Sequence, residues 1–397
     1  MIDNTTTSSP QPDVFPRCHV CGDQNFELFD EYSRFHRVTS DCKPWPCGGT
    51  LALCHSCGCV QKLTDTTWQA ETDAIYDAYS IYYQSAGAEQ VVFDQKSGTS
   101  TTRSSKILNC VSQVIRLPET GKHLDIGCGN GALLHQFHEK FLEWTLYGVE
   151  LNGKYKDMVE AIPRVQKMYI SSNLDDIHDT FDCITMVHVL EHILHPREYL
   201  EKIHPLLTLD GVLIIEVPFF AKNPYDLLIA DHCTHFNEIS LYSLLQKTGF
   251  EVIYSSTTCI TKELTLVARK RNDIRQKKPL LLDNKKTSDA VVKCLGWLNS
   301  NIRDSIAHAK NRQFGIFGTS ISATWLFSEI PEIVHFFVDE DLDRVDKMHL
   351  GRPVYDPDHA PCNSTIFIPF CPQQAHKIKI RLENTHGTLQ FISSARS

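Results

Sequence analysis

Between His123 and Arg269 the chain alternates short β-rich runs (HLDIG, TLYGVEL, FDCITMV, GVLIIEVP, LTLVAR) with stretches of helical period such as ALLHQFHEKF and PREYLEKIHPLL. That alternation predicts strands joined by crossover helices, the pattern of a doubly wound α/β sheet. The charged stretch RKRNDIRQKKP at 269–279 reads as a solvated linker. After it, the helical segment SDAVVKCLGWLNSNIRDSIAHAK leads to FGIFGTS, VHFFVDED and STIFIPF in β-α-β order, which predicts a second, smaller α/β unit. Upstream, residues 67–117 read as helical, with the tyrosine-rich AIYDAYSIYYQSAG followed by the amphipathic SSKILNCVSQVIRL. Residues 1–16 are polar and lack any period. The predicted division is a tail at 1–16, a compact unit at 17–66, a helical bridge or cap at 67–117, an α/β domain at 118–270 and a C-terminal α/β domain at 271–397.

Composition narrows the function classes. Hydrophobic residues make up 42% and charged residues 22% of the 397, so the chain fits neither the disordered nor the membrane class. No apolar run approaches the roughly 20 residues that a spanning helix needs, which predicts no membrane partner. The opening MIDNTTTSSPQPD lacks a basic region followed by an apolar one, so the expected location is cytoplasmic. With a net charge of −9 and no basic footprint, the chain is expected to take a small-molecule substrate and no nucleic acid. No pattern in the chain sets an oligomeric state.

Fifteen cysteines change that picture, because seven lie within residues 18–59. Cys18-His19-Val20-Cys21-Gly22 and Cys54-His55-Ser56-Cys57-Gly58 are two copies of C-x-x-C-G. The spacing lets both thiolates of a pair reach one tetrahedral ion, and the glycine frees the tight turn that follows. Two such knuckles predict a structural zinc site of four thiolates, Cys18, Cys21, Cys54 and Cys57, closed to substrate and without catalysis. Buried free cysteines or a redox dithiol explain one knuckle but poorly explain a matched pair. Cys42, Cys47 and Cys59 stand close enough in sequence to replace a ligand or belong to a second site.

In HLDIGCGNGALLHQF an apolar strand ends at Asp125, and Gly127, Gly129 and Gly131 precede a helix. Missing Cβ atoms at alternate positions let backbone amides approach a ligand at the helix N-terminus. Nicotinamide-binding proteins usually carry G-x-G-x-x-G, whereas this turn is G-x-G-x-G after an aspartate. Glu150 closes the next strand, one βαβ step on, where an acid accepts hydrogen bonds from both hydroxyls of a ribose. The pattern h-h-D-x-G-C-G-x-G resembles motif I of the class I S-adenosylmethionine methyltransferases. The resemblance implies a Rossmann-like methyltransferase domain with Asp125, Gly127, Gly129, Gly131 and Glu150 around the cofactor. It also puts Leu151 near the adenine and Asn173 in the loop after the third strand. FDCITMVHVLEHILHP (181–196) matches the fourth-strand region of the same superfamily, with VLEH opening the next helix. His188 belongs to the cofactor side of that region; His188, Glu191 and His192 equally suit a helix start or packing beneath the cofactor.

A sulfonium already activates its methyl group, so the protein must align the acceptor, exclude water and remove a proton where the acceptor is weakly acidic. In D-H-C-T-H-F, His232 and His235 follow the fifth strand, near the strand C-termini where α/β sheets bind ligands, and His235 is the candidate base. Capping the next helix or filling the core is the plainer role for either ring. The whole layout resembles the sugar C-methyltransferases of deoxysugar biosynthesis, with a zinc ribbon, a methyltransferase core and a C-terminal nucleotide-fold domain. That resemblance implies a nucleotide-linked sugar as acceptor. It matches Tyr79 to Ser85 with the family's tyrosine-rich stretch, making Tyr79 and Tyr83 active-site candidates, and it aligns His235 with the last histidine of the family's Y-H-E-H run. The three positions before it are His232, Cys233 and Thr234, which depart from that run. Without the tyrosine and glutamate, methylation of a sugar hydroxyl is as consistent as methylation of a carbon beside a keto group.

FGIFGTSISATW resembles a strand, glycine turn and helix built for phosphate, with Gly315 and Gly318 in the turn and Asp339 ending the next strand. A structural or dimerising unit with a vestigial turn accounts for the same residues equally well. Two functions from other classes stay open on the sequence: an NAD-dependent oxidoreductase, and a non-catalytic zinc-containing binding module on a methyltransferase fold. Asn223-Pro224-Tyr225 is superficially similar to an amino-methyltransferase motif, but it follows the fifth strand where that motif follows the fourth.

Overall fold

The computed structural model describes residues 16–79, 91–93, 100–271, 283–310 and 312–394. At its centre is a seven-stranded sheet of β1 (Lys122–Ile126), β2 (Thr145–Glu150), β3 (Val165–Ile170), β4 (Phe181–Val187), β5 (Leu207–Pro218), β6 (Phe250–Ser256) and β7 (Glu263–Lys270). The spatial order is β3-β2-β1-β4-β5-β7-β6. Neighbours run parallel from β3 to β5, and β7 is antiparallel to both β5 and β6. The chain builds outward from β1 to β3 and then returns to β4, so a crevice opens at the strand C-termini between β1 and β4.

The near-continuous apolar runs of these strands follow from burial on both faces. Along β5, Leu213, Ile215 and Val217 enter one apolar cluster, while Val212 and Ile214 enter the other. The first cluster takes Leu200 and Ile203 from the helix Pro196–Leu206 and Leu241, Leu244 and Leu245 from the helix Glu238–Lys247. The second takes Ile107, Leu108 and Val111 from the helix Arg103–Ser112, with Leu134 and Phe137 from the helix Ala132–Lys140.

The N-terminal unit is a four-stranded antiparallel sheet whose order is Phe26–Leu28, Leu51–Cys54, Val60–Lys62 and Thr234–His235. Its fourth strand comes from the loop region after β5. The C-terminal unit is a six-stranded sheet ordered Met348–His349, Arg352–Tyr355, Phe336–Val338, Phe314–Phe317, Thr365–Phe367 and Gln390–Ile392. The long helix Asn284–His308 buries Val291, Leu295, Trp297 and Leu298 in one cluster with ribbon residues Phe29, Tyr32 and Leu51 and with Phe220, Tyr225 and Leu227 after β5. Cys18, Val20, Cys54 and Cys57 pack into the first cluster of the central sheet. The ribbon is thus wedged between the two α/β units and shares the core of each.

Three local expectations change. The stretch 67–117 is not helical throughout: helices Thr66–Asp77 and Arg103–Ser112 flank an antiparallel hairpin of Val91–Phe93 with Ser100–Thr102. A run of Val-Val-Phe favours the extended pleat over a helix. VLEH does not open a helix; Leu190–His192 forms a 3-10 turn and the helix starts at Pro196. Proline suits the first helical position, and the residue before it is barred from the helical region, which sets the start there. Finally, Cys110 and Cys259 form a disulfide joining the helix Arg103–Ser112 to the loop before β7. Among the described residues no helix is long and apolar enough to cross a membrane.

Candidate active site

The glycine turn is held from both sides. Gly127, Gly129 and Gly131 have φ of +71°, +55° and +83°, the left-handed region that favours glycine. Val149 O accepts from the N–H groups of Gly127 at 2.8 Å and Cys128 at 3.0 Å, which draws the turn onto the end of β2. Glu150 Oε2 accepts from Gly129 N–H at 3.0 Å and Oε1 from Leu151 N–H at 2.9 Å. Asp125 is buried at the end of β1 and accepts from the Thr185 hydroxyl of β4 at 2.6 Å. That leaves the Thr185 oxygen to accept from His123 Nε2 at 2.9 Å. The His123 ring stacks on Phe137 with centroids 3.9 Å apart, and burial pushes its pKa down to about 3, so it stays neutral.

These residues fit an adenosyl group. Glu150 lies at the turn with its carboxylate fixed by two amides, and beside it Leu151 and Ile170 are 55% and 50% exposed at the ends of β2 and β3. Exposed apolar side chains next to an oriented acid suit a base above a ribose. Asn173 is exposed, and its Oδ1 accepts from Ser171 Oγ and from Asp175 N–H, both at 3.1 Å, so its side chain shapes its own loop.

A second group of side chains gathers after β4 and β5. His188 stands at φ +54° with Nδ1 3.2 Å from Glu191 Oε1 and Nε2 against Arg103 Nη1. A guanidinium only donates, so His188 Nε2 accepts and Nδ1–H points at Glu191. Glu263 lies 3.7 Å from both Arg103 and His188, and Glu216 accepts from the Thr265 hydroxyl at 3.0 Å. Burial, and then the neighbouring Glu263, pushes the Glu216 carboxyl up to about 7.

Asp226 sits between the two histidines of D-H-C-T-H-F: its Oδ1 is 2.7 Å from His232 Nδ1 and its Oδ2 2.8 Å from His235 Nδ1. Burial alone would raise the Asp226 carboxyl; the two rings overcome it and hold it well below the carboxylate range. His235 is fully buried in the ribbon sheet opposite Val60, and its Nε2 has no partner among the described residues. Asp231 accepts from Ser40 N–H at 2.9 Å and lies 3.3 Å from His192 Nδ1, which is also 3.0 Å from Tyr76 Oη. Tyr79 is half-buried with its ring 5.9 Å from that of Tyr76, and burial raises its phenol above the ordinary value. Tyr83 lies outside the described residues.

Tyr76, Arg103, Glu216, Asp226, Asp231 and Glu263 were not singled out from the sequence. Tyr76 stands inside the tyrosine-rich stretch, which was the one available signal. Asp231 opens the D-H-C-T-H-F run and Asp226 lies in the 3-10 turn Pro224–Leu228 just before it, but only the fold turns their carboxylates toward the histidines.

The four cysteines of the two knuckles meet. Cys18 and Cys57 Sγ atoms are 3.4 Å apart, those of Cys21 and Cys54 are 3.5 Å apart, and all four lie within 4.8 Å of one another. Four sulfurs about 2.3 Å from a tetrahedral zinc stand about 3.8 Å apart, so the cluster fits that ion. Gly22 at φ +77° and Gly58 at φ +70° donate to Cys18 O and Cys54 O, closing each knuckle. Cys42 instead approaches Thr324 Oγ1 at 3.3 Å, Cys47 is exposed, and Cys59 approaches Val60 O at 3.6 Å.

In the C-terminal sheet, a Cβ on Gly315 would stand 2.4 Å from the Phe336 ring, so that glycine serves packing. Asp339 is occupied by Thr319 Oγ1 at 2.9 Å and Arg344 Nη1 at 3.4 Å.

Residues 103–255 match the family model described as a methyltransferase domain. No curated protein matches the chain. Among solved structures, an S-adenosylmethionine-dependent methyltransferase from Clostridium acetobutylicum is 13% identical, covering 51% of this chain and 99% of that one at a TM-score of 0.37. The Burkholderia thailandensis 1,6-didemethyltoxoflavin-N1-methyltransferase, solved with 1,6-didemethyltoxoflavin and S-adenosylhomocysteine, is 17% identical over 54% of this chain and 96% of its own, at a TM-score of 0.37. A TehB-like S-adenosylmethionine-dependent methyltransferase from Corynebacterium glutamicum is 16% identical over 51% and 100%, at 0.35. The matched segment is a methyltransferase domain, and the glycine turn and strand-end Glu150 lie within it.

Proposed function

We propose that the chain moves a methyl group from S-adenosylmethionine to a carbon or hydroxyl oxygen of a small molecule, with a nucleotide-linked deoxysugar as the acceptor class. The observation that carries this reading is the Asp226 carboxylate bonded to both His232 and His235 at the same end of the sheet as the glycine turn. Bound, the cofactor supplies a methyl group already activated on a sulfonium. Asp125, the three glycines and Glu150 hold the adenosyl portion. Asp226 keeps the proton of His235 on Nδ1 and leaves Nε2 to take the acceptor's proton. Burial of this pair excludes water from the proton transfer.

The nucleotide-sugar class is supported by how the C-terminal unit meets the catalytic loop. Tyr225 donates to Pro369 O at 2.6 Å and stacks edge-on with Trp325 and Trp297, and Cys371 Sγ approaches Lys222 O at 3.1 Å. A nucleotide held on that unit would lie next to the loop that carries Asp226. The four thiolates Cys18, Cys21, Cys54 and Cys57 hold a structural zinc in this reading, with no open position for substrate.

The test is methyl transfer from labelled S-adenosylmethionine to a panel of nucleotide-linked sugars, with His235→Ala beside the wild type. Labelled product that disappears in the variant at unchanged cofactor affinity supports the reading. Tight NAD binding without S-adenosylmethionine binding, or turnover unaffected by His235→Ala, overturns it.

A further inference from the structure

We propose that Glu191, His192 and His232 form a second metal site, taking a zinc ion or a similar divalent transition ion through Glu191 Oε2 and the Nε2 atoms of the two histidines. One ligand atom from each of these residues lies within 4.8 Å of the others. Nitrogen and oxygen ligands about 2.1 Å from a tetrahedral zinc stand about 3.4 Å apart, so ligand atoms spread over that range close by about 1.4 Å at most, and a ring turn selects the ligating nitrogen. The rings meet edge to face with centroids 4.5 Å apart.

Both histidines carry the partner that a metal-binding imidazole needs behind it. His232 Nδ1 is 2.7 Å from Asp226 Oδ1, and His192 Nδ1 is 3.3 Å from Asp231 Oδ2 and 3.2 Å from the Asp231 carbonyl. Acceptors around Nδ1 place the proton there and free the Nε2 lone pair, the arrangement that orients ligating histidines. Ser40 in turn anchors Asp231 through N–H and Oγ, so the outer layer is itself fixed.

The third ligand shows the same need from the other side. Glu191 is 1% exposed, its Oε1 faces His188, and its Oε2 has no partner among the described residues. A buried carboxylate oxygen without a donor is expensive, and a divalent cation satisfies it. The two loops are locked in register by Cys233 N–H donating to Glu191 O at 2.9 Å, with Cys233 Sγ on the same carbonyl at 3.3 Å. Two histidines and a carboxylate are the ligand set of zinc sites that keep one position open. Here the open position would take an oxygen of the methyl acceptor and polarise it, a Lewis-acid role that the closed thiolate site cannot fill.

The experiment is metal counting on the intact chain, with cobalt as the probe. Expected are two zinc ions per chain at saturation, of which a mild chelator removes one without changing the circular dichroism. Reloading the stripped site with Co2+ is expected to give weak d–d bands without thiolate-to-cobalt charge transfer, the signature of nitrogen and oxygen ligands. Glu191→Gln, which keeps the shape of the side chain, and His192→Asn are each expected to lower saturation from two ions to one. Saturation at one ion per chain in the wild type, thiolate charge transfer from the second cobalt, or full retention of the second ion in both variants overturns the proposal. Calorimetry with S-adenosylmethionine on the same samples separates this from the methyltransferase reading: cofactor binding with a single zinc sinks only the second site, and two zincs without cofactor binding sink only the other.

Discussion

His235 and Val60 are partners in an antiparallel ladder, so the candidate base is a residue of the ribbon sheet as well as of the loop after β5. The second thiolate knuckle lies directly before that ladder: Cys54 closes one ribbon strand, and Val60 opens the next. Removing a metal held by the four thiolates is therefore expected to reach the base through the sheet. Cys57→Ser, or stripping by a strong chelator, is expected to cut methyl transfer by about 100-fold, the cost of misplacing a reacting group by about an ångström. S-adenosylmethionine affinity, set by β1 and β2, is expected to hold. Parallel turnover and calorimetry measurements check this; an equal fall in both would show that the ribbon supports the whole domain and not the base.

Glu150 is already committed to Gly129 N–H and Leu151 N–H, which holds its carboxylate in one orientation. Glu150→Ala is expected to weaken S-adenosylmethionine binding by about 10- to 100-fold, or about 1.4 to 3 kcal/mol, from charged hydrogen bonds lost to the hydroxyls. Leu151→Ala should weaken it less, because that side chain offers area alone. Titration calorimetry on both variants reads the order; equal affinities would remove Glu150 from the cofactor site.

Gly127 and Gly131 fail differently from an ordinary glycine. A Cβ on Gly127 would stand 2.4 Å from Val189 Cγ2, and one on Gly131 would stand 2.6 Å from Ile162 Cδ1, both at positive φ. Gly127→Ala is expected to cost about 1–3 kcal/mol of stability from backbone strain alone, and to displace Val189, next to the loop that carries His188 and Glu191. A lowered melting temperature with weakened cofactor binding is the predicted outcome; a variant with unchanged melting would contradict the geometry of the turn.

His123 gives a pH signature. Its folded pKa is depressed to about 3 from 6.5 by burial, so below about pH 6.5 the unfolded chain takes up a proton that the folded chain refuses. The stability that neutral His123 allows is fully present above pH 6.5 and is lost progressively as the pH falls toward 3. His123→Leu is expected to flatten the loss of melting temperature between pH 6.5 and about 4 relative to the wild type. Identical slopes for the two proteins would rule His123 out as the source.

Much of the glycine-turn half of the sheet was legible because its pattern is local. The order of apolar runs gave the sheet, the alternate glycines gave the turn, and one βαβ step placed Glu150; each depends on residues close in the chain. Paired C-x-x-C-G knuckles are equally local, and their four sulfurs do meet. The hairpin at Val91–Phe93 and the 3-10 turn at Leu190–His192 were missed because short runs carry too few positions for a period to show.

The acceptor side is another matter. The sequence by itself determined which residue types were present after β5, two histidines among aspartates, and the spacing of the cysteines. Only the tertiary structure decided that Asp226 bridges His232 and His235, that Asp231 stands behind His192, and that Glu191 buries an unpartnered oxygen beside them. The physical reason is that these contacts join a 3-10 turn after β4, an irregular loop after β5 and a ribbon more than 170 residues upstream of His235. No periodicity links such segments; burial of the ribbon between two α/β cores brings them together.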